Sequence, residues 1–422
     1  MNKRTRHITL QMLGVTALLT ACTGGNDAGT GGDDTPSQYA ISFGAQEGQH
    51  VQTSRASTTM PLADQGYNEM KVYGYKTLDG TLYNVMPGYT MKYVSGSANS
   101  STSNSSGWEY VGQGTDYLGL AQEIKYWDGN TQDYRFFGVL GNSSSSATSL
   151  KYKADSSAEA AEIGKTTVAT TAGSFVLSFS GLKYMTRKQE TVSGSDAVSV
   201  VYYDADGNKV EENNIPIYGH LWQGSPAANY SKPVTLEFVK PYSLIRVVFV
   251  RPAGSTTTQL GNPDETDRTH DITFAPVSGS MTGSGYLTIT YPMTGSEESY
   301  QVAAGTTSTT LDKMSLGTVK LQAEDVQYQV WPEYVMIPTN ATGTTMVNGD
   351  FKCTAYIYTK NSSNEDVYTQ RTAVVPAAYM QWKPGYQYTY IFKITSNNNM
   401  EFSHVVEVYT QWQAGYVQET EW

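Results

Sequence analysis

The stretch VTLEFVKPYSLIRVVFV, residues 234–250, decides the fold class of this chain. Val234, Leu236 and Phe238 recur at every second position and a second apolar run follows, as in neighbouring β-strands. Similar short runs recur along the chain, with Asp-Gly turns between some of them. Tyr, Thr, Val, Ser and Gly are abundant, a composition that favours strands over helices. The sequence therefore predicts an all-β protein of sandwich type, with a barrel as the structural alternative.

The length of 422 residues predicts two large domains, because about 150 residues per domain is usual. The strand pattern lapses around residues 219–232, and the domain boundary is predicted there. The C-terminal half is expected to hold about seven short antiparallel strands, a number typical of a β-sandwich. The predicted organisation is a signal at 1–21, a flexible tether at 22–38, an N-terminal β-sandwich at 39–228 and a C-terminal β-sandwich at 229–422.

The first 22 residues have the form of a bacterial lipoprotein signal. Three basic residues precede an apolar run that ends Leu19-Thr20-Ala21-Cys22. A membrane span needs about 20 apolar residues, and this run is shorter and interrupted by polar side chains. The signal predicts removal of residues 1–21 and lipid attachment at Cys22, which would anchor the protein to the outer membrane at the cell surface. The following segment, rich in Gly and Asp, is expected to act as the tether.

Charge and cysteine content restrict the possible partners. The formal charge is −11, and the signal carries three basic and no acidic side chains, so the mature chain is still more acidic. This balance argues against nucleic acid as a partner. The second cysteine, Cys353, shares its strand phase with Phe351 and Ala355, which predicts a buried thiol rather than a nucleophile. An acylated Cys22 leaves no pair for an intramolecular disulfide.

The sequence gives little support to catalysis, metal binding or a cofactor. The five histidines are scattered, and Gly279–Gly283 has Met281 where a nucleophile elbow needs serine. Asp204–Asn208 resembles part of a calcium loop, but the spacing of a full loop is absent and a solvated hairpin turn explains it just as well. We therefore expect no enzymatic activity, no metal and no cofactor.

Aromatic residues in the first half leave a second function open. The cluster consists of Trp108, Tyr110, Tyr126, Trp127 and Tyr134. Aromatic rings stack on sugars, but they are also favoured in strands whatever the ligand. The alternative function is therefore a glycan-binding surface lipoprotein that stays monomeric and acylated.

A set of short motifs is spread over the mature chain. They are the lipobox with Cys22, the early strand Ile41–Phe43, the segment Thr53–Ala56, Lys125–Trp127, Tyr134–Gly138, the strand pair Val234–Phe249, Trp382–Tyr390 and Trp412–Gly415. Together they resemble the fimbrillin-like surface lipoproteins of Bacteroidetes, a family that includes major fimbrial subunits and Mfa-like proteins. The resemblance implies two transthyretin-like sandwiches and a non-catalytic role in a surface fimbria that supports adhesion.

The family's assembly implies processing of the N-terminal segment. Cleavage after an arginine removes the first strand, and a strand from a neighbouring subunit fills the groove by β-augmentation. The matching bond here is Arg55–Ala56. Cleavage there would displace the strand Tyr39–Ala45, whose alternating residues are Ile41, Phe43 and Ala45.

The resemblance also implies the donor and the partners. The candidate donor is the C-terminal strand, with Val406, Val408 and Trp412 in one phase and Val405 and Tyr409 in the other, and the face that enters the groove stays open. The implied partners are other copies or related fimbrial subunits, the outer membrane before processing, and a host or bacterial surface receptor. Stalk, anchor and tip positions in a fimbria are not distinguished by the sequence.

Overall fold

A computed structural model of the chain describes residues 40–47, 62, 66–93, 107–110, 122–141, 151–153, 174–194, 197–215, 217–230, 232–264, 266–292, 298–304, 310–339 and 349–409. The described residues belong to the compact unit Pro36–Trp422. Within them, no helix is long and apolar enough to cross a membrane.

The secondary structure is almost entirely strand, which confirms the all-β prediction. The first ten strands are β1 (Phe43–Glu47), β2 (Glu69–Leu78), β3 (Thr81–Tyr93), β4 (Trp108–Tyr110), β5 (Asp133–Gly141), β6 (Lys151–Lys153), β7 (Ser174–Lys183), β8 (Met185–Thr191), β9 (Val198–Tyr203) and β10 (Lys209–Val210). The next eight are β11 (Ile217–Gly219), β12 (Trp222–Gly224), β13 (Val234–Val239), β14 (Ser243–Val250), β15 (Gln259–Leu260), β16 (Thr273–Pro276), β17 (Met281–Thr282) and β18 (Ser284–Pro292). The last nine are β19 (Ser299–Ala304), β20 (Thr310–Leu311), β21 (Met314–Ser315), β22 (Val319–Lys320), β23 (Gln327–Met336), β24 (Phe351–Lys360), β25 (Asp366–Val375), β26 (Tyr386–Ile394) and β27 (Met400–Tyr409).

The helical elements are short. They are the helix α1 (Pro226–Asn229) and the 3-10 turns Glu212–Asn214, Arg268–His270 and Ala377–Tyr379.

The strands form four main sheets. The first sheet has the order β11-β13-β1-β4-β3-β2-β5-β12, and the second has the order β10-β9-β8-β23-β14-β26-β27. The third runs β21-β16-β24-β15-β22 with β25 beside β24, and the fourth runs β19-β18-β7-β6. Strands β17 and β20 form a separate pair.

The first sheet closes on itself. Strand β11 pairs with β13 at one end of the order and with β5 near the other, so the ladder returns to its starting strand. The hydrophobic core inside this ring includes Ile41, Phe43, Met70, Phe136 and Leu236, all of them buried. The ring corresponds to the barrel alternative for this part of the chain, while the other sheets pack face to face.

Two further cores lie between the sheets. One contains Phe249 and Tyr390 of the second sheet with Phe274 and Cys353 of the third. The other joins Phe137 of the first sheet to residues of the fourth sheet, including Phe175, Leu287 and Tyr291. Cys353 is a free, buried thiol, as predicted, and burial raises its pKa far above the ordinary range.

The expectation of antiparallel strands alone was wrong. Strand β14 runs parallel to β26 over Leu244–Val250, and β1 runs parallel to β13 over all five of its residues. Every residue of β14 is buried, and a strand covered on both faces reads as a continuous apolar run, as in the 244–250 segment. Parallel pairing joins segments distant in sequence, so no local turn signal reveals it.

The boundary predicted between residues 228 and 229 stays a prediction, as does the tandem transthyretin-like arrangement. Hydrogen-bonded pairs cross that position in three sheets. Strand β1 pairs with β13, β7 pairs with β18, and β8 pairs with β23. The N-terminal and C-terminal halves of the chain therefore share three of the four main sheets.

Candidate functional site: the seat of the first strand

The first strand forms part of the ring of the first sheet, between β13 and β4, and we call this position its seat. The side chains of Ile41 and Phe43 are 0% exposed, Ala45 is half-buried, and Gln46 faces solvent. The intervening Ser42 and Gly44 are buried as well, so both faces of this segment are covered up to residue 44. The three residues predicted for the apolar side of the first strand thus point, in decreasing depth, into the core.

The hydrogen-bonded ladder of the strand differs from its predicted bounds of Tyr39–Ala45. The ladder with β13 begins at Phe43 and continues to Glu47, in register with Val234–Phe238. The preceding residues are held differently: Ala40 bridges to Tyr126, and the Ile41 amide donates to the Lys125 carbonyl over 2.7 Å. The ladder therefore lies further toward the C-terminal end than the predicted strand. Its extent is set by β13, which pairs with Phe43–Glu47.

The two sides of β1 are unequally paired. On one side β13 matches the whole strand, while on the other side the pairing with β4 among the described residues is that of Phe43 with Trp108. A buried side-chain contact supplements this short side: the Tyr110 hydroxyl donates to the Ile41 carbonyl over 2.6 Å. Burial raises the pKa of Tyr110 well above its ordinary value, so the hydroxyl stays a donor at any physiological pH.

Packing around Phe43 is aromatic. Its ring meets that of Phe136 edge-on, with centroids 5.3 Å apart and planes at 83°. Phe136 belongs to β5, on the far side of the ring, and it also contacts Trp127 and Tyr134. Edge-to-face pairs of this kind add about 0.5–1.5 kcal/mol to area burial. The Phe43 side chain thus connects β1 to strands with which it shares no ladder.

Strand β13 relies on β1 for its main-chain partners. Its Tyr218 and Gly219 partners in β11 reach only Val239 and Phe238. Among the described residues, the ladder at Val234–Leu236 is made with β1 alone. At the solvent end, the Gln46 side-chain amide donates to the Glu237 carboxylate over 3.0 Å. Removal of β1 would therefore leave an open edge on β13 beside an apolar cavity.

Several predicted site residues cannot be placed beside this seat. Cys22, Arg55, Ala56 and Trp412 lie outside the described residues. Val406 and Val408 lie in β27, where they pair with Thr389 and Gln387 of β26. Strand β27 is the last strand in the order of the second sheet. The structure thus brings Ile41, Phe43 and Ala45 to one site and keeps Val406 and Val408 in another sheet.

The aromatic cluster that left glycan binding open is mostly core. Trp108, Tyr110, Trp127 and Tyr134 are buried in the ring, and only Tyr126 is exposed, at 50%. Trp108 and Tyr110 instead form part of the seat of β1. Sequence reasoning missed this role, since the alternation in Trp108–Tyr110 signals a strand but does not identify its partner.

The acidic turn at Asp204–Asn208 is occupied by its own hydrogen bonds. One oxygen of the Asp204 carboxylate accepts from the amides of Asp206 and Asn208, over 3.0 and 2.8 Å. The other oxygen accepts from the Asn208 side chain. The segment links β9 to β10 as a hairpin, which is the structure that the Asp-Gly sequence predicted.

Comparisons with known proteins give distant structural matches. No protein-family model and no curated protein matches the chain. A candidate cell adhesion protein from Bacteroides ovatus is 12% identical, with 88% of this chain and 97% of that chain covered and a TM-score of 0.37. The tip fimbrial protein Mfa3 from Porphyromonas gingivalis, truncated at its C-terminus, is 10% identical, with 82% and 96% covered and a TM-score of 0.28.

A third match is a candidate polysaccharide-binding protein from Bacteroides thetaiotaomicron. It is 9% identical, with 80% of this chain and 90% of that chain covered and a TM-score of 0.27.

Proposed function

We propose that this chain is a non-catalytic, adhesion-related surface protein that builds a fimbria by exchange of its first strand. The observation that carries the proposal is the seat of β1. A strand near the N-terminus forms part of a closed ring, with a full ladder on one side and, among the described residues, one ladder pair with β4 on the other. A strand held in this way can be replaced by another extended segment, since β-augmentation needs an open edge and pockets for alternate side chains.

The energy involved is compatible with replacement. Full burial of a side chain such as Ile41 or Phe43 contributes about 1.5–3 kcal/mol. Burial of these two side chains therefore contributes about 3–6 kcal/mol in total. Association costs several kcal/mol. The fibre contact would then depend on slow exit of the donor strand as well as on affinity.

Release of β1 is proposed to follow export as a lipoprotein acylated at Cys22 in the outer membrane. Cleavage of the Arg55–Ala56 bond would separate β1 and the anchor from the rest of the chain. The incoming strand is proposed to come from the C-terminal segment of a neighbouring copy or related subunit, with Val406, Val408 and Trp412 as candidate contacts. Since Val406 and Val408 pair with β26 here, their donation would require β27 to leave that strand.

The test is the N-terminus of the protein sheared from the cell surface, read by intact mass and N-terminal sequencing. The proposal predicts a start at Ala56 in high-mass species, and an Arg55→Ala variant should retain the acylated Cys22 form as a monomer. Arg268→Ala is the matched control, because it removes an exposed arginine elsewhere and should leave processing unchanged. A wild-type protein that stays monomeric with Cys22 at its start would overturn the proposal.

A further inference from the structure

The solvent face of the β24–β25 hairpin in the third sheet is unusually aromatic. Along β24 the residues Phe351, Cys353, Ala355 and Ile357 are buried in the core, and the intervening positions face outward. Tyrosines occupy two of these outward positions and one on β25, which are Tyr356, Tyr358 and Tyr368. Tyr358 lies directly opposite Tyr368 in the ladder, with ring centroids 5.5 Å apart. An outward sheet face normally carries polar residues, so this strip needs another explanation.

A fourth ring joins the strip from a separate segment. The His270 ring stacks on Tyr368, with centroids 3.7 Å apart and planes at 6°, and meets Tyr356 edge-on at 5.0 Å. His270 ends the 3-10 turn Arg268–His270, which is capped by Asp267. The Asp267 carboxylate accepts from the Thr269 amide and hydroxyl and from the Asn262 side chain. The position of the imidazole is thus fixed before any ligand arrives.

Two hydroxyls on the strip are unused by the protein. Within the described part of the chain, neither the Tyr356 nor the Tyr368 hydroxyl makes a hydrogen bond, whereas buried tyrosines such as Tyr334 and Tyr390 donate to carbonyl oxygens. Both strip tyrosines are half-buried rather than enclosed. Their rings therefore present apolar surface and free hydroxyls side by side.

Two ion pairs lie beside the strip. The Asp366 carboxylate accepts from Lys360 over 2.6 Å and from the Tyr358 hydroxyl over 2.9 Å. Arg268 pairs with Asp271 over 2.7 Å. Opposite Tyr356 the ladder carries the neutral amide of Gln370, and a Thr354–Thr372 pair follows. A charged ligand would find no unpaired partner among these groups, while a neutral ligand with many hydroxyls would find amide, hydroxyl and ring surface.

We infer that the outward face of β24–β25, built from Tyr356, Tyr358, Tyr368 and His270, is a binding platform for a neutral oligosaccharide. Sugars combine apolar C–H faces, which stack on aromatic rings, with hydroxyls that exchange hydrogen bonds with groups such as Tyr368 and Gln370. Successive outward residues of a strand lie about 7 Å apart, so the strip suits an extended chain of several sugar units. The site lies in a different sheet from β1 and does not depend on strand exchange.

The test is binding of the full mature chain to an array of immobilised oligosaccharides. The array contains neutral members built from hexose, fucose and N-acetylhexosamine units, with sialylated and sulfated members beside them. Binding to at least one neutral member is expected, followed by titration calorimetry with that oligosaccharide in solution. Binding to none, or only to acidic members, would overturn the inference.

Variants locate the site. Tyr368→Ala should weaken binding at least about tenfold through loss of ring stacking, and Tyr368→Phe should weaken it less because the ring is kept. Tyr83→Ala is the matched control, since Tyr83 is an exposed tyrosine on the first sheet, and its dissociation constant should stay within about twofold of wild type. Equal thermal melting of all three variants verifies folding. Unchanged binding by a Tyr356→Ala/Tyr368→Ala double variant would refute the platform.

Discussion

The two parallel strand pairs of this protein differ in how their first strand is held. Strand β14 lies between β23 and β26, with extended ladders on both sides and every residue buried. Among the described residues strand β1 has a full ladder with β13 alone, and its Gln46 is exposed. The same parallel pairing thus occurs with extended ladders on both sides of β14 and with one extended ladder beside β1. Strands β1 and β14 differ in the length of the ladder with their second neighbouring strand, not in the burial of their central side chains.

The largest expected effect compares Phe43→Ala with Phe249→Ala. Both rings are fully buried, and each substitution should lower the free energy of unfolding by about 3–5 kcal/mol. Hydrogen exchange should separate them: Phe43→Ala should expose the amides of β1 and of the adjoining edge of β13, while Phe249→Ala should expose β14, β23 and β26. If Phe43→Ala deprotects β14 to the same extent, β1 is not separable and the comparison fails.

A smaller effect is expected at the ion network that fixes β14. Glu333 is 0% exposed and accepts from Arg246 over 2.6 Å and from Arg187 over 3.0 Å. Glu333→Gln removes the buried negative charge and should cost about 1.5–3 kcal/mol in urea unfolding. The surface pair of Arg251 and Glu324, 3.6 Å apart, serves as the control.

In that control, Glu324→Gln should cost less than about 1 kcal/mol. The cost of Glu333→Gln should be the same in a chain that starts at Ala56, because the network lies outside the seat of β1. A cost that disappears in the shortened chain would show that the two strand pairs are coupled.

Tyr110→Phe tests how much the hydrogen bond from Tyr110 to Ile41 stabilises β1 in the first sheet. Loss of the hydroxyl that donates to Ile41 should cost about 1 kcal/mol in the intact chain, and the cost should shrink in a chain that starts at Ala56. Tyr75→Phe is the matched variant, since the Tyr75 hydroxyl donates to the Pro292 carbonyl over 3.1 Å, away from β1. Its effect should be equal in both chains, and equal behaviour of the two variants would contradict a specific role for Tyr110.

The smallest effect is a pH dependence at Glu298. Burial opposes its ionisation, but the hydrogen bond and charge of His220 and the Leu221 amide outweigh burial, so its pKa lies below the ordinary 4.5. A carboxyl group with a lowered folded pKa contributes stability above pH 4.5 that is lost as the pH falls through the folded value. Glu298→Gln should flatten this loss in melting curves recorded between pH 6 and about pH 3. A wild-type curve with no loss in that interval would contradict the assignment.

The sequence predicted those features whose causes are local. The β2–β3 hairpin follows from Asp79-Gly80, which adopts φ values of 49° and 74°, as a two-residue turn between strands requires. The inward direction of Ile41 and Phe43 follows from alternation. The other half of the site could not be predicted, because Gln46 and its partner Glu237 are 191 positions apart. No pattern within either strand specifies such a pairing or its direction.

The buried aromatic residues of the first half show a second limit of prediction from sequence. Trp127 and Tyr134 are residue types expected in a sugar site. Their aromatic rings nevertheless meet edge-on in the core of the first sheet, with centroids 4.9 Å apart. Tyr356 and Tyr368 have no special sequence context, yet they lie on an outer face. Exposure is set by which face of a sheet meets another layer, and only the tertiary structure determines that.

The closed first sheet has a consequence for the timing of assembly. A closed ring of strands that loses one strand has two unpaired strand edges. Unpaired edges can pair with any extended chain nearby. Under the proposed function, cleavage that releases β1 would be irreversible and would allow the subunit to bind other copies of the chain. Uncleaved subunits would then remain unable to polymerise. Hydrolysis of a single peptide bond in each subunit would start polymerisation.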